Sequence, residues 1–258
     1  MNDLSALLAA YDQELRIDIE YPGARKEILP QLVRFVRPAP GMNFVLYSRL
    51  NPDEADAAIQ AQIDYFTPMG QPFTWKVFEH DQPADLKQRL EAHGFACEEP
   101  SPVLALDLHK APPALLEPVT MDIRLLTHRK QLDDVIAIEE QVWGGAFGWI
   151  KQRMGDHMEL PGYLSVYVAH LDEQPVSAGW VYFHPESQFA GLFGGSTLEG
   201  YRKRGLYTAL LAVRAQEAIR RGYHYLLIEP SDMSRPIVTS HGFRLLVTSY
   251  DYEWQGQS

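Results

Sequence analysis

Three consecutive cations, Arg202, Lys203 and Arg204, stand directly before Gly205 in a chain whose formal net charge is -11. Before them, residues 189–196 read as a strand that ends in the small residues Gly194, Gly195 and Ser196. After them, residues 206–219 carry Leu206, Leu210 and Val213 on one helical stripe. A strand, a basic glycine-containing turn and a helix together build an anion site. The first amides of a helix have no intrahelical partner and point outward. The helix dipole adds positive potential at the same end, so a phosphate or pyrophosphate is the natural guest. The plain alternative is a solvated basic helix start. Cations there oppose the dipole by about 0.3–1 kcal/mol each, so three of them are unfavourable without an anion.

The elements that must position this turn can be read along the chain. Residues 121–125 form a strand, and 130–143 form an amphipathic helix with Leu132, Val135, Ile136, Ile138 and Val142 apolar. A second helix covers 147–157, and a hairpin of 163–170 with 175–183 turns at Asp172 and Glu173. A strand at 223–228, a helix at 233–240 and a strand at 247–254 finish the chain. Near the start, 4–15 reads as helix, with strands at 31–37 and 43–50 around a Pro38, Pro40 and Gly41 turn.

The tripeptide His-Gly-Phe occurs twice, at 93–95 and 241–243, with matched surroundings. Each copy follows a strand pattern, at 75–80 and 223–228, then a proline-containing turn and a short helix, at 84–92 and 233–240. Each helix ends on His then Gly, the sequence a left-handed C-cap wants. Another strand follows each, at 103–108 and 247–254, so the order implies duplication. The segment of the first copy that matches 202–205 is near 54–57, where Asp53, Glu54 and Asp56 replace the cations and no glycine occurs. Asn51 before Pro52 is a good helix start, so this helix is expected to be capped for stability and to repel phosphate. The domains are expected at 1–110, without an anion site, and at 119–258, with one, joined by an extended linker at 111–118 that holds Pro112, Pro113 and Pro118.

Bulk composition narrows the partners. The apolar share of 46% suits a sizeable core. A pI near 5.3 with one short basic cluster argues against nucleic acid. The single Cys97 provides no disulfide framework and no thiolate metal site, and the nine histidines lack ligand spacing, so no metal is expected. The start, Met1-Asn2-Asp3, has no basic leader, and no apolar run reaches membrane length, which favours a cytoplasmic location without membrane contact.

The second half resembles the GNAT superfamily of acyl-CoA-dependent N-acetyltransferases. The resemblance rests on Arg202-Lys203-Arg204-Gly205-Leu206-Tyr207, read against Arg/Gln-x-x-Gly-x-Gly/Ala, on the element order over 121–254 and on Gly242-Phe243 after the last helix. Tyr207 departs from the pattern, where Gly or Ala is usual. The implied fold is α/β, a mixed central sheet with splayed strands flanked by helices, partially duplicated as in tandem GNAT proteins. The resemblance implies acetyl-CoA as co-substrate in a V between 188–196 and 223–228. Its contacts are expected at Gly195, Thr197, Leu198, Arg202, Lys203, Arg204, Gly205, Leu206, Tyr207 and Ser234. The backbone around 193–195 is implied to polarise the thioester carbonyl, and a small-molecule amine is implied to attack directly. A monomer or homodimer is expected.

A second departure concerns the acid that protonates the leaving thiolate. The family's tyrosine four residues before the Gly of Gly-Phe is Val238 here. Tyr207 is then the candidate acid, with Ser234, Thr239 and Ser240 also near in sequence. A thiol pKa near 8.5 makes the thiolate a tolerable leaving group even unaided. For the base, Glu229 at the end of its strand is the leading choice, with Glu139, Glu140 and Glu199 as further candidates. Trp143, Phe147 and Trp149 around Gly144-Gly145 form either a latch between helices or an aromatic acceptor wall. A non-catalytic acyl-CoA-binding module, regulatory or partner-binding, is the competing function. A P-loop or dinucleotide site lacks its glycine pattern.

Overall fold

The computed structural model describes residues 3–39 and 41–256. The first two residues and Pro40 of the expected turn lie outside them. By its contacts the chain divides into two compact units, one of residues 1–103 with 245–258 and one of residues 104–244. The chain therefore crosses between units at 103/104 and again at 244/245, and the units do not follow the expected division into 1–110 and 119–258.

The first unit holds α1 (Asp3–Asp12), which runs on through a π-helical turn, and strands β1 (Arg25–Leu29), β2 (Leu32–Val36) and β3 (Asn43–Ser48). Next come α2 (Ala55–Phe66), β4 (Phe73–Phe78), α3 (Leu86–Ala92) and the two-residue β5 (Ala96–Cys97). β1, β2 and β3 form an antiparallel meander, and β4 joins β3 in parallel. β1 has no apolar alternation in its sequence, which is why the reading of residues 31–50 missed it.

The second unit takes the end of β6 (Ser101–Asp107), then α4 (Pro113–Leu116), β7 (Ile123–Leu125), α5 (Leu132–Trp143) and α6 (Trp149–Met158). β8 (Leu164–Leu171) and β9 (Gln174–Phe183) form the hairpin, with Asp172 and Glu173 at positive φ in its turn. Then follow β10 (Phe189–Thr197), α7 (Leu206–Arg220), β11 (Tyr225–Ile228) and α8 (Arg235–Ser240), and β12 (Arg244–Trp254) leads back to the first unit. The strand order is β6-β11-β10-β9-β8-β7, antiparallel except for the parallel β10–β11 pair. The sheet is mixed and lies between α5 and α6 on one face and α7 with α8 on the other, each face sealed by its own apolar cluster.

The two copies of the repeat trade their last strands. β12, the closing strand of the second copy, pairs antiparallel with β4 of the first. β6, the closing strand of the first copy, pairs antiparallel with β11 of the second. The caps that precede them are the same structure twice. Phe95 N donates to Leu90 O at 3.1 Å and Phe243 N donates to Val238 O at 3.2 Å. Gly94 and Gly242 take φ of 90° and 93°, which a side chain would strain. The expected linker is not extended throughout, because Pro113–Leu116 forms a helical turn and Leu115 is fully buried in the second unit's core.

Candidate functional site: a splayed strand pair with a basic helix start

β10 and β11 separate because their lengths differ. Their register ends at Leu192 opposite Ile228, and β10 continues to Thr197. On the β11 side Glu229 is followed by Pro230, which has no N–H to extend a ladder. Beyond this point β10 stays paired with β9 but carries a bulge between Gly194 and Ser196. Gly194 and Gly195 hold φ of 68° and 91°. A Cβ at Gly194 would stand 2.3 Å from the Trp180 ring, and one at Gly195 would stand 2.8 Å from the Tyr207 ring. Both conformation and space therefore demand glycine at the bulge.

The ladder fixes where the bulge amides point. Phe183 N donates to Tyr163 O, so odd-numbered residues of β9 face β8 and Trp180 faces β10. Gln188 O accepts from His224 N and Tyr225 N, so even-numbered residues of β10 up to Leu192 face β11. Both relations turn the Phe193 carbonyl toward β9, where Phe193 pairs with Trp180. The Gly194 N–H lies across the same trans peptide and so points the opposite way, into the opening left by β11. This donor is placed to meet a carbonyl oxygen lying between the strands.

The basic turn sits at the head of α7. After Thr197 come a single 3-10 turn over Glu199–Tyr201, then Lys203 at φ 62° and Gly205 at φ 80°. The first helical bond of α7 runs from Ala209 N to Gly205 O at 2.9 Å, and no side chain caps the helix. The amides before Ala209 thus face outward. Arg202, Lys203 and Arg204 are exposed and form no ion pair among the described residues. Arg202 Nε donates to Thr197 O at 3.2 Å and Arg204 Nη2 to Gly200 O at 3.4 Å. Unpaired cations, outward amides and a glycine without a Cβ fit a pyrophosphate. In the first unit the start of α2 is the reverse. Glu54 occupies its N-cap position and Asp56 in its first turn is bonded to Arg89 and His93.

Of the expected contacts, the structure gathers Gly195, Tyr207 and Ser234. The Tyr207 ring lies against the bulge, and Ser234, just before α8, lies near enough to its hydroxyl to influence its titration. Burial raises the Tyr207 pKa, with Arg214 and Ser234 acting the other way, so the phenol stays protonated at neutral pH. Thr197 bonds Ser177 through its hydroxyl at 2.7 Å. The Leu198 amide is already used by Val176 O at 3.0 Å, and the Leu206 side chain is buried in a small cluster, so neither of these groups reaches toward a ligand. Val238 is fully buried in the core and offers no ionisable group. Glu229 is exposed one residue past β11.

Glu139 stands out among the carboxylates. It lies on α5 with 4% of its surface exposed, and its Oε1 has no hydrogen-bond partner. Burial raises its pKa, with the neighbouring Ser196 and Trp143 acting the other way. Ser196 directly follows the bulge, and Trp143 Nε1 donates to its hydroxyl at 2.8 Å. The sequence shows this glutamate only as an ordinary acidic residue beside Glu140. Its sole signal is its position one residue after Ile138 on the apolar stripe. Trp143 and Trp149 remain 51% and 50% exposed, so they do not form the expected buried latch.

Solved structures with the same fold include GCN5-related N-acetyltransferases and a tandem GNAT protein. One is a GCN5-related N-acetyltransferase from Kribbella flavida, 16% identical over 100% of this chain and 97% of that one, with a TM-score of 0.74. A tandem GNAT protein from the clavulanic acid biosynthesis pathway aligns at 13% identity over 100% and 97%, with a TM-score of 0.65. A GCN5-related N-acetyltransferase from Sphaerobacter thermophilus aligns at 15% identity over 97% and 91%, with a TM-score of 0.59. No protein-family model and no curated protein matches the sequence. The chain has the GNAT fold, and its likeness to a tandem member spans its full length.

Proposed function

We propose that this protein is an N-acetyltransferase that moves an acetyl group from acetyl-CoA to the amine of a small molecule. Catalysis belongs to the unit of residues 104–244, and the other unit holds no second acyl-CoA site. The observation that carries this reading is the Gly194 N–H aimed into the gap between β10 and β11, with the basic α7 start at the end of β10. The turn at 202–207 binds the pyrophosphate through outward amides and unpaired cations. The Gly194 amide accepts the charge that grows on the thioester oxygen.

In this reading the base is Glu139 rather than Glu229, because Glu139 flanks the bulge and burial raises its affinity for a proton. The amine nitrogen bonds to the acetyl carbon, and Glu139 takes the proton released from nitrogen. As the carbon–sulfur bond breaks, Tyr207 gives its proton to the departing thiolate in place of the tyrosine absent at Val238. Trp143 and Phe147 flank the acceptor side.

A panel of amines with acetyl-CoA, read by thiol release, tests the proposal. Release above the hydrolysis background with at least one amine is expected. Acetyl-CoA binding with no release for any amine would instead favour a non-catalytic acyl-CoA-binding module, a reading supported by the same departure at Val238.

A further inference from the structure

Arg214 is a cation in the wrong place for a helix of this kind. It falls four residues after Leu210 and eight after Leu206, on the stripe that α7 buries, and only 1% of its surface is exposed. Among the described residues no carboxylate pairs with it. Its hydrogen bonds among the described residues all go to main-chain carbonyls. Nε donates to Leu210 O at 2.9 Å, and Nη1 donates to both Trp180 O and Phe193 O at 3.2 Å. Nη2 is buried with no hydrogen-bond partner. β9 makes room for the group with Gly179, where a Cβ would stand 3.0 Å from Nη1.

A buried cation without a counter-ion is unfavourable, and burial pulls this guanidinium down to about 10, against the stabilising proximity of Tyr207 and Tyr167. A leucine or methionine would fill the same stripe at no such cost. The placement is specific to one peptide. Phe193 C=O and Gly194 N–H belong to the same planar amide, with the carbonyl on the guanidinium and the N–H in the opening between the strands. A cation bonded to the carbonyl draws electron density from the amide nitrogen and makes its N–H a stronger donor, and such bonds reinforce one another in a low-dielectric interior.

We propose that Arg214 is a positioning residue for acyl transfer: by holding and polarising the Phe193 carbonyl, it orients the Gly194 N–H and strengthens it as the donor to the thioester oxygen. The inference rests on the acetyl-CoA reading above and adds to it a charge that acts through one peptide bond. Nothing in it requires Arg214 to touch either substrate.

The carbonyl stretch of acetyl-CoA labelled at the acetyl carbonyl reports this polarisation without any acceptor. Calorimetry gives the affinity of each protein for the same compound. With wild type, the bound carbonyl band is expected below that of free acetyl-CoA. With Arg214→Met, affinity should stay within about threefold while the band moves back toward the free value. Turnover with the best amine should then fall at least about tenfold, close to 1.4 kcal/mol in barrier. Arg214→Lys, which keeps the charge but loses the fork, should lie between. Gly179→Ala leaves the arginine in place and crowds its Nη1, so it should weaken the shift in a protein that retains the charge. This variant decides the matter if Arg214→Met does not fold. A wild-type shift that persists unchanged in Arg214→Met, or in Gly179→Ala where that is the folded variant, overturns the role of Arg214. Wild-type binding without any shift overturns it too, while leaving acyl-CoA binding intact. Absence of acetyl-CoA binding by wild type removes the functional reading, and this inference with it.

Discussion

Replacing Glu139 by Gln separates a working carboxylate from a structural one. The side chain is almost fully buried, one of its oxygens has no hydrogen-bond partner, and burial raises its pKa. A carboxylate whose folded pKa lies above its unfolded value costs no stability below the unfolded pKa, near 4.3. The cost appears as pH rises through the interval between the two values, and it is fully present above the folded one. Glutamine has the same shape and no charge. Glu139→Gln should therefore melt near the wild-type temperature at about pH 4 and at a higher temperature at about pH 8. The same change removes the proposed base, a role worth about 10²–10⁴ in rate, or roughly 2.7–5.4 kcal/mol at 1.36 kcal/mol per decade. Thiol release at saturating acetyl-CoA, measured across neutral pH with the best amine, should fall by that factor. A variant that turns over within about threefold of wild type, or that loses about 2 kcal/mol of stability at both pH values, would show that Glu139 serves packing and not proton transfer.

Other substitutions test the remaining parts of the site. Arg204→Glu should weaken acetyl-CoA binding at low salt by at least about tenfold, or 1.4 kcal/mol, while thermal melts stay unchanged because the side chain is exposed and forms no ion pair. Tyr207→Phe should leave acetyl-CoA affinity within about twofold and lower turnover by roughly tenfold or more, as expected for loss of a general acid from a tolerable leaving group. Val238→Tyr should not restore the family's usual acid. It should cost about 1–3 kcal/mol by overpacking a fully buried position, read as a lower melting temperature with no gain in rate. At Gly205, sequence alone implies a stability cost on the order of 1 kcal/mol for Val. The observed φ of 80° raises that to about 1–3 kcal/mol for a β-branched residue. Gly205→Asn, which tolerates this conformation, is the cleaner probe, and it should lower acetyl-CoA affinity with little change in melting.

Much of this arrangement was legible in the residues. The His-Gly-Phe repeat gave the two identical caps because a left-handed C-cap has a strict local requirement. The Gly194-Gly195 pair read only as a strand ending in small residues, and the bulge itself appears in the register shift between Gly194 and Ser196. The strand exchange was not legible. β6 and β12 each follow the same cap and each read as apolar strands, and a strand's pattern says which face is buried but not which neighbour it pairs with. Arg214 and Glu139 were missed or undervalued for a related reason. Each is a charged residue at a buried helical position, and helical spacing places it on the inner face without naming the carbonyl or hydroxyl that receives it. Glu229 follows Ile228 where β10 and β11 part, and it is exposed rather than buried.

The central claim is one acyl-CoA site per chain, built from the basic α7 start and the β10 bulge. Calorimetric titration of the full chain with acetyl-CoA tests it most directly, with Arg204→Glu alongside. One site per chain for wild type, with much weaker binding for the variant, is the predicted result. Two sites per chain, no binding, or one site that Arg204→Glu leaves unchanged at low salt would contradict it.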